Sequence, residues 1–443
     1  MKTPPSPVVR DSRYAWAVAW LTGAIVTVAF IDRQAMNLLV DPIKKTLGVT
    51  DTQVSLLQGA AIVVALLLFS PVFGRLVDVG NRRNILAGAV AFWSVSTMFC
   101  GLAHNFPTMF LARVGVGAAE AALGPACWSL LSDYFSERRL PAAISIYVVG
   151  AYVGGGLSLI FGGLLVSSAP RLAFVMPVLA ALAPWQITFV ALGAPGMILA
   201  LLILLAVREP PRVASAHAGP ADDREHFTLA EVAGYLSSRW AFYLGFGVTM
   251  ALVVGVFYAV SAWMPSVLVR GFALLPRQVG PQYGLIVTVM GCAGVLTGPP
   301  IAAWLDRRGA QGAILTCVIL AAATIVVCLP LLPFVPTYAA ALVLAAVITF
   351  ALSVPQPLGI AALASATPSR MRGIVSSLYT LLITGFGLGV TPTLVAMTTD
   401  RVFHDPGHVA SSLALVSTLF AVLAVGLGLR TRPAFKAAFL PSN

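Results

Sequence analysis

The stretch GRLVDVGNRR at residues 74–83 decides the fold, because a second form of it, AAWLDRRG, returns at residues 302–309. Each copy follows a long apolar run and places an aspartate before a group of arginines: Asp78 before Arg82 and Arg83, and Asp306 before Arg307 and Arg308. Positive charge at the cytoplasmic end of a membrane helix explains the arginines but does not require the aspartate. The repeat therefore indicates a duplicated chain with two similar halves, as in transporters built from internal repeats.

The composition of the 443-residue chain is that of a membrane protein. Hydrophobic residues make up 59% and charged residues 10%, whereas a soluble domain carries about 25% charged residues. Twelve apolar runs are long enough to cross a hydrocarbon core of about 30 Å. They are Tyr14–Leu39, Thr52–Val77, Asn84–Ala103, Pro107–Leu131, Ala142–Ser167, Trp185–Val207, Trp240–Pro265, Tyr283–Trp304, Gln311–Leu332, Pro336–Ala364, Gly373–Thr398 and His408–Leu429. We predict an all-α membrane protein with 12 transmembrane helices in two pseudo-symmetric six-helix halves.

A polar stretch between the sixth and seventh runs divides the chain into residues 1–207, a cytoplasmic linker of residues 208–239, and residues 240–443. Within the linker, Phe227–Ser238 has the spacing of a short amphipathic helix at the membrane interface. If the N-terminus is inside, only six of the 27 lysines and arginines fall in outside loops: Lys44, Lys45, Arg171, Arg270, Arg277 and Arg401. Basic residues favour the cytoplasmic side. We therefore predict that both termini are cytoplasmic and that the protein lies in the inner (plasma) membrane.

Several functional classes do not fit the sequence. The net charge of +11 does not indicate a nucleic-acid partner, because the basic residues lie in short gaps between apolar runs and not on one soluble face. The five cysteines and five histidines lack the spacing of a metal site or of a catalytic nucleophile. The sequence has no glycine-rich phosphate loop with a lysine. We therefore expect neither an enzyme nor a cofactor, metal or nucleic-acid partner, and we expect a monomer.

Residues 74–83 resemble the loop between helices two and three of the major facilitator superfamily, and the resemblance covers the whole chain. In that family the acid caps a neighbouring helix and the basic residues close a gate on the inside face. The resemblance implies gating roles for Asp78, Arg82, Arg83, Asp133, Arg138, Asp306 and Arg307. Two positions depart from the family, since Val79 replaces a basic residue and Asn81 replaces a glycine. We expect Asp133 and the loop arginines to be solvated charges that act in the gate or set the topology, and we assign them no role in binding substrate.

Within this superfamily the sequence resembles bacterial relatives of the Spinster lysolipid and sphingolipid transporters. The segments that carry the resemblance are FIDRQ (30–34), RVGVGAAEA (113–121), SDYFSERR (132–139), RMRGIVSS (370–377), GLGVTPTL (387–394) and TDR (399–401). An Asp-Arg pair in the first helix also occurs in organic-anion symporters of the superfamily. Where family members tend to have Trp-Arg between helices five and six, this chain has Trp185-Gln186 after an apolar insertion.

Four ionisable residues lie at membrane depth in the N-terminal half: Asp32 and Arg33 in the first helix, and Arg113 and Glu120 in the fourth. Such residues mark function, because each costs about 2.5–3.5 kcal/mol on insertion scales. Arg113 and Glu120 are two turns apart and lie on nearly one face of their helix. The Asp32–Arg33 pair lies at the same depth as Arg113. We therefore expect a salt bridge between the first and fourth helices.

The chemistry of these four residues suggests proton coupling. Burial favours the neutral form of a carboxylate, and a nearby arginine favours its charged form. A carboxylate whose arginine partner leaves and returns during a cycle therefore binds and releases a proton. We predict that Glu120 carries the proton, with Asp32 second, and that Arg33 or Arg113 holds an anionic headgroup. The alternative is that the four residues only neutralise one another and join the two helices.

Further polar and aromatic residues complete the predicted substrate-binding set: Tyr147, Gln58, Tyr258, Trp263, Gln356 and Tyr379. Charge on the N-terminal side and aromatic groups on the C-terminal side suit a molecule with a charged head and a hydrocarbon tail. We predict a proton-coupled secondary transporter that moves a lysolipid- or sphingolipid-like substrate by alternating access, with protons and membrane lipids as its other partners. Symport of small organic anions (sugar acids or aromatic carboxylates) is one alternative, and a membrane enzyme or passive channel is another.

Overall fold

The computed structural model describes residues 11–136, 138–210, 229–309, 312–368 and 371–438. Within these ranges, 12 helices are long and apolar enough to cross a membrane. They are α1 (Arg13–Leu38), α2 (Asp51–Val79), α3 (Arg82–Gly101), α4 (Phe106–Tyr134), α5 (Leu140–Val175), α6 (Pro184–Ala206), α7 (Trp240–Gly271), α8 (Pro276–Arg307), α9 (Ala313–Phe334), α10 (Tyr338–Leu363), α11 (Ile374–Phe403) and α12 (Pro406–Ala438). Each helix overlaps one apolar run of the sequence, because a membrane span must satisfy its backbone hydrogen bonds internally. The predicted all-α architecture with 12 helices is confirmed.

The chain forms two compact units. The first unit comprises the described residues of Met1–Met36 and Val64–Glu225, and the second comprises those of Asn37–Val63 and His226–Asn443. The end of α1 and the start of α2 therefore belong to the unit that contains the C-terminal helices. The division of the chain at residues 207 and 240 remains a prediction.

Among the described residues, two short α-helices and the 3₁₀ turn Pro177–Leu179 lie between the membrane spans. One, Val40–Leu47, connects α1 to α2 and was not predicted, because it is short and carries Asp41, Lys44 and Lys45. The other, Leu229–Ser238, precedes α7 and covers most of the predicted interfacial helix. Phe227, which we placed in that interfacial helix, lies outside the described residues.

In the first unit, glycines on α5 allow α1 to approach closely. A Cβ atom at Gly150 would come within 2.6 Å of the backbone oxygen of Gly23, and one at Gly154 would collide with the backbone oxygen of Thr27. Thr27 donates its hydroxyl to the backbone oxygen of Gly150 over 3.1 Å. Small residues are common where membrane helices pack backbone to backbone. The glycine face of α5 therefore holds α1, which carries Asp32 and Arg33.

In the second unit, α7 packs against α12, and α8 packs against α10. The described residues of this unit contain three π-helical turns, Leu56–Ala60 in α2 and both Gly385–Val390 and Thr399–Phe403 in α11. The turn in α2 meets the first turn of α11 at Gly59, where a Cβ atom would collide with the backbone oxygen of Leu388. Single π-helical turns are frequent at functional sites. The start of α2 is thereby packed backbone to backbone on α11.

Candidate functional site

An ion pair between Arg33 of α1 and Glu120 of α4 forms the centre of the candidate site, and both residues belong to the first unit. Arg33 Nη2 donates to Glu120 Oε2. The Glu120 side chain is only 3% exposed and the Arg33 side chain 15%. The Arg33 guanidinium lies over the Phe30 ring, with 5.0 Å between Cζ and the ring centroid. Few water molecules can reach this pair, so the attraction between its charges is only weakly screened.

Asp32 and Arg113 lie beside this ion pair and are buried at least as deeply. Asp32 is 0% exposed and Arg113 1%. Thr97 of α3 donates its hydroxyl to Asp32 Oδ2 over 3.3 Å. Arg113 Nη2 donates to the backbone oxygen of Arg33 over 3.2 Å. Two acids and two arginines therefore share one buried site, whose charges cancel when all four are ionised.

The structure has an ion pair between the first and fourth helices, but Glu120 supplies its carboxylate. From its position in the first helix, the Asp32–Arg33 pair is expected level with Arg113, which lies two turns before Glu120. An arginine carries its charge at the end of a long side chain, so the guanidinium can lie well away from the depth of its own Cα. Backbone depth alone therefore did not identify the partner of Arg33.

Two carboxylate oxygens of the site, Glu120 Oε1 and Asp32 Oδ1, are buried and accept no hydrogen bond from a described residue. The indole of Trp93, one turn before Thr97 on α3, is close to Asp32, but its N–H is not in hydrogen-bonding geometry with any described residue. Buried polar atoms without partners cost free energy. A proton, or a donor on a bound molecule, would satisfy them. No pattern in the sequence marks Trp93 or Thr97, because such residues are common within apolar runs.

Tyr147 of α5 is the predicted substrate-binding residue that lies next to this site in the first unit. Its hydroxyl lies 3.9 Å from the position that a Cβ atom would take at Gly124, one turn after Glu120 on α4. It is near enough to Arg33 and Glu120 to interact with their charges. Gly124 therefore presents no side chain to the Tyr147 hydroxyl.

The remaining predicted substrate-binding residues lie in the second unit, where Gln58 takes part in a polar network. Gln58 Nε2 donates to Asn37 Oδ1 over 3.1 Å, and Asn37 Nδ2 donates to the backbone oxygen of Ser261 over 3.0 Å. Gln58 Oε1 is buried and has no hydrogen-bond partner among the residues that the structure describes. This oxygen can accept a hydrogen bond from a donor group on a ligand.

The other four predicted substrate-binding residues of this unit differ in burial and in whether their polar atoms already have a hydrogen-bond partner. Trp263 is fully buried and donates its indole N–H to the backbone oxygen of Pro392 over 2.9 Å, so its polar atom is already used in packing. Tyr379 is 5% exposed, with its hydroxyl against Gly359. Tyr258 and Gln356 are half-buried. Substrate contact by these four residues stays a prediction.

Arg82, a predicted gate residue, forms a second charged cluster in the first unit. It is 2% exposed and pairs with Asp133 of α4. It also donates to Glu209 Oε1 over 2.7 Å and to the backbone oxygens of Ser129 and Pro210 over 3.1 and 3.0 Å. The solvated interpretation is therefore wrong for Arg82 and Asp133. Sequence reasoning missed Glu209, because an acid that follows an apolar run gives no sign of its partner.

The other predicted gate residues lie near helix ends. Asp78, Arg138, Asp306 and Arg307 are exposed, and Arg83 is half-buried. The start of α3 is capped by Asn81, whose side chain accepts the backbone N–H of Asn84 over 2.9 Å. The residue that departs from the family pattern therefore supplies the cap of α3 itself. The gating roles stay predictions.

Comparison with known proteins agrees with the fold. The sequence profile of the Major Facilitator Superfamily matches residues 22–392. An MFS-type efflux pump of Mycolicibacterium smegmatis is 26% identical over 419 residues, which cover 94% of this chain and 91% of the pump. The probable L-galactonate transporter of Escherichia coli is 24% identical over 295 residues, which cover 64% of this chain and 60% of that transporter.

Similarity extends to Spinster proteins. Protein spinster homolog 1 of Xenopus tropicalis is 24% identical over 304 residues, which cover 66% of this chain and 55% of the relative, so the chain spans about half of its length. A bacterial homolog of the human lysosomal transporter Spinster, solved in an inward-facing and unoccupied conformation, superposes with a TM-score of 0.83 at 22% identity, covering 98% of this chain and 100% of the homolog. The chain therefore belongs to the Major Facilitator Superfamily and is similar to Spinster proteins within it.

Proposed function

We propose that the protein is a proton-coupled secondary transporter of amphipathic molecules with an anionic head, of the lysolipid or sphingolipid kind. The buried Arg33–Glu120 ion pair carries this proposal, because one oxygen of Glu120 has no partner among the described residues. The protein lies in the inner membrane with both termini in the cytoplasm. The charge bias of the loops in the sequence supports this orientation.

The coupling follows from competition for one guanidinium. An anionic head that binds Arg33 takes the place of the Glu120 carboxylate, since both use the same donor groups. A buried carboxylate without its cation is costly, so Glu120 then takes up a proton. Return of Arg33 to Glu120 releases both the substrate and the proton. Asp32, held by Thr97, provides a second acid beside the first.

A lipid-like substrate is supported by the similarity to Spinster proteins. The resemblance to Spinster lysolipid and sphingolipid transporters implies an amphipathic cargo with a hydrocarbon tail. A small organic anion is the second candidate, and similarity to the probable L-galactonate transporter favours it. Arg33 would hold the carboxylate of such an anion in the same way as it holds Glu120.

Uptake into proteoliposomes distinguishes the two candidates. We expect radiolabelled lysophosphatidylethanolamine to accumulate faster than in protein-free vesicles when a pH gradient is imposed, with the inserted fraction measured after surface lipid is extracted with albumin. L-Galactonate is the competing probe under the same gradient. Accumulation of galactonate alone would select the anion symporter. Lysolipid uptake that ignores the gradient would reject the proton coupling.

The assignment of the proton to Glu120 has its own test. We expect Glu120→Gln to abolish the stimulation by the pH gradient, because an amide cannot exchange a proton. Glu231→Gln, at an exposed glutamate of the helix Leu229–Ser238, is the matched control and should retain the stimulation. Full stimulation in the Glu120→Gln protein would show that another group carries the proton.

A further inference from the structure

A cluster of charged residues centred on Arg270 joins the start of α2 to the end of α7, and all of its members belong to the second unit. Arg270 Nη1 donates to Asp51 Oδ2 over 2.9 Å, and Nη2 donates to Asp51 Oδ1 over 2.8 Å. Arg270 Nε donates to Asp41 Oδ1 over 2.9 Å. Lys44 Nζ adds a bond of 2.7 Å to Asp51 Oδ1. The bidentate geometry between Arg270 and Asp51 is the strongest form of an arginine–carboxylate contact.

The burial of this cluster is unusual for charges at helix ends. The Asp51 side chain is 0% exposed and the Arg270 side chain 9%. Surface ion pairs contribute little because water screens them and their side chains must be ordered. Breaking a buried pair is strongly unfavourable, because it leaves an uncompensated charge. The contact between Asp51 and Arg270 therefore resists separation.

A second contact lies next to the first along the chain. Asp400, near the end of α11, accepts the backbone N–H of Thr52 over 2.7 Å and the Thr52 hydroxyl over 2.6 Å. Its carboxylate therefore lies at the N-terminus of α2, where the helix dipole favours negative charge. Two consecutive residues, Asp51 and Thr52, are thus held by two different C-terminal helices.

One turn beyond these contacts, α2 is buried against α11. Ser55, one turn after Asp51, is 0% exposed, and its hydroxyl lies 3.2 Å from that of Thr393 in α11. Ser55 therefore lies one turn beyond the contacts of Asp51 with Arg270 and of Thr52 with Asp400. We expect water to reach Ser55 only after these two contacts have separated.

We propose that Asp41, Lys44, Asp51, Thr52, Arg270 and Asp400 form a latch, and that its rupture is the step that opens this end of the second unit. A transporter that works by alternating access needs such an opening, so the importance of the latch for transport rests on the proposed function. The closed state that the latch holds does not depend on the identity of the substrate.

The latch predicts the reactivity of a cysteine placed behind it. In a Ser55→Cys variant, with Cys292→Ser and Cys328→Ser to remove the half-exposed thiols, labelling by a small cationic methanethiosulfonate is timed in lipid nanodiscs. We expect Arg270→Gln to speed labelling of this cysteine at least tenfold. Arg270→Lys should give a smaller increase, because an ammonium keeps the charge but cannot form the bidentate fork. Asp400→Asn, which weakens the second contact alone, should also give a smaller increase.

Arg277→Gln is the control, because Arg277 is exposed near the start of α8 and makes no ion pair with a described residue. An Arg270→Gln protein that labels at the parent rate, or an Arg277→Gln protein that labels as fast, would overturn the latch. If Arg270→Gln does not yield a monodisperse protein, Asp400→Asn decides, and an unchanged rate in that variant rejects the proposal. No substrate is present in this assay, so failure of the proposed cargo or of the proton coupling would not change its result.

Discussion

The Arg33 and Arg82 clusters of the first unit are both buried contacts between arginine and carboxylate, but they differ in how fully their polar atoms are used. Arg82 donates to two carboxylates, two backbone oxygens and the Ser129 hydroxyl, and all three of its guanidinium nitrogens are bonded. In the Arg33 cluster, Glu120 and Asp32 each keep one oxygen without a partner among the described residues.

This difference indicates different roles. A saturated cluster has nothing further to bind, and disturbing it leaves buried charges unpaired. An unsaturated cluster has already lost hydrogen bonds relative to water, and a proton or a ligand can restore them. We therefore interpret the Arg82 cluster as a clamp that ties α3 to α4 and to the residues after α6. The Arg33 cluster is the exchangeable site.

Removal of the arginine from the clamp should have the largest effect on stability. We expect Arg82→Met to lower the free energy of unfolding by about 3 kcal/mol, because Asp133 and Glu209 lose their common counter-charge. Equilibrium unfolding followed by tryptophan fluorescence measures the change. Arg83→Met, at the half-buried neighbour, should change it by less than about 0.5 kcal/mol. Equal effects of the two variants would contradict the clamp.

Neutralising the acid of the exchangeable site should cost less stability. We expect Glu120→Gln to lower the free energy of unfolding by about 1–2 kcal/mol, because one positive charge of the site is left uncompensated, while the amide oxygen still accepts from Arg33 and Asp32 still faces both arginines. The same unfolding measurement applies. A loss as large as that of Arg82→Met would remove the distinction between clamp and exchangeable site.

Loss of the hydrogen bond to Asp32 should have a smaller effect on stability at the same site. Thr97→Val should lower the free energy of unfolding by about 1 kcal/mol or less, since a single bond of 3.3 Å is removed without a change of volume. It should also shift the pH dependence of lysolipid uptake, because Asp32 loses its donor. Thr188→Val is the control in the first unit, where the hydroxyl bonds only to the backbone oxygen of Pro184. If the pH dependence of uptake stays the same in both variants, Asp32 takes no part in the proton coupling.

The smallest effect is expected at Tyr147. Tyr147→Phe should leave the free energy of unfolding within about 0.5 kcal/mol of the parent, because the ring keeps its packing against Trp128. The apparent KM for lysophosphatidylethanolamine should rise several-fold in the uptake assay, because the hydroxyl near Glu120 is lost. An unchanged KM would remove Tyr147 from the site.

Much of this architecture follows from particular residues. The apolar runs located 12 helices to within a few residues at most ends, since the length of a span is set by the thickness of the membrane. The four buried charges were found for the same reason, because they are rare and costly at that depth. Predictions were weaker where a residue acts through a distant partner, as Glu209 does with Arg82 and Asp51 with Arg270.

The sequence by itself determined the twelve helices, the repeat of Asp78 and Asp306, and the presence of Asp32, Arg33, Arg113 and Glu120 within the spans. These features depend on local composition and on the solvent in which the chain folds. The tertiary structure alone decided that Arg33 pairs with Glu120, that Arg82 is buried, and that residues 37–63 belong with the C-terminal helices. Such pairings depend on how helices far apart in the sequence pack and on where long side chains reach, which no local pattern records.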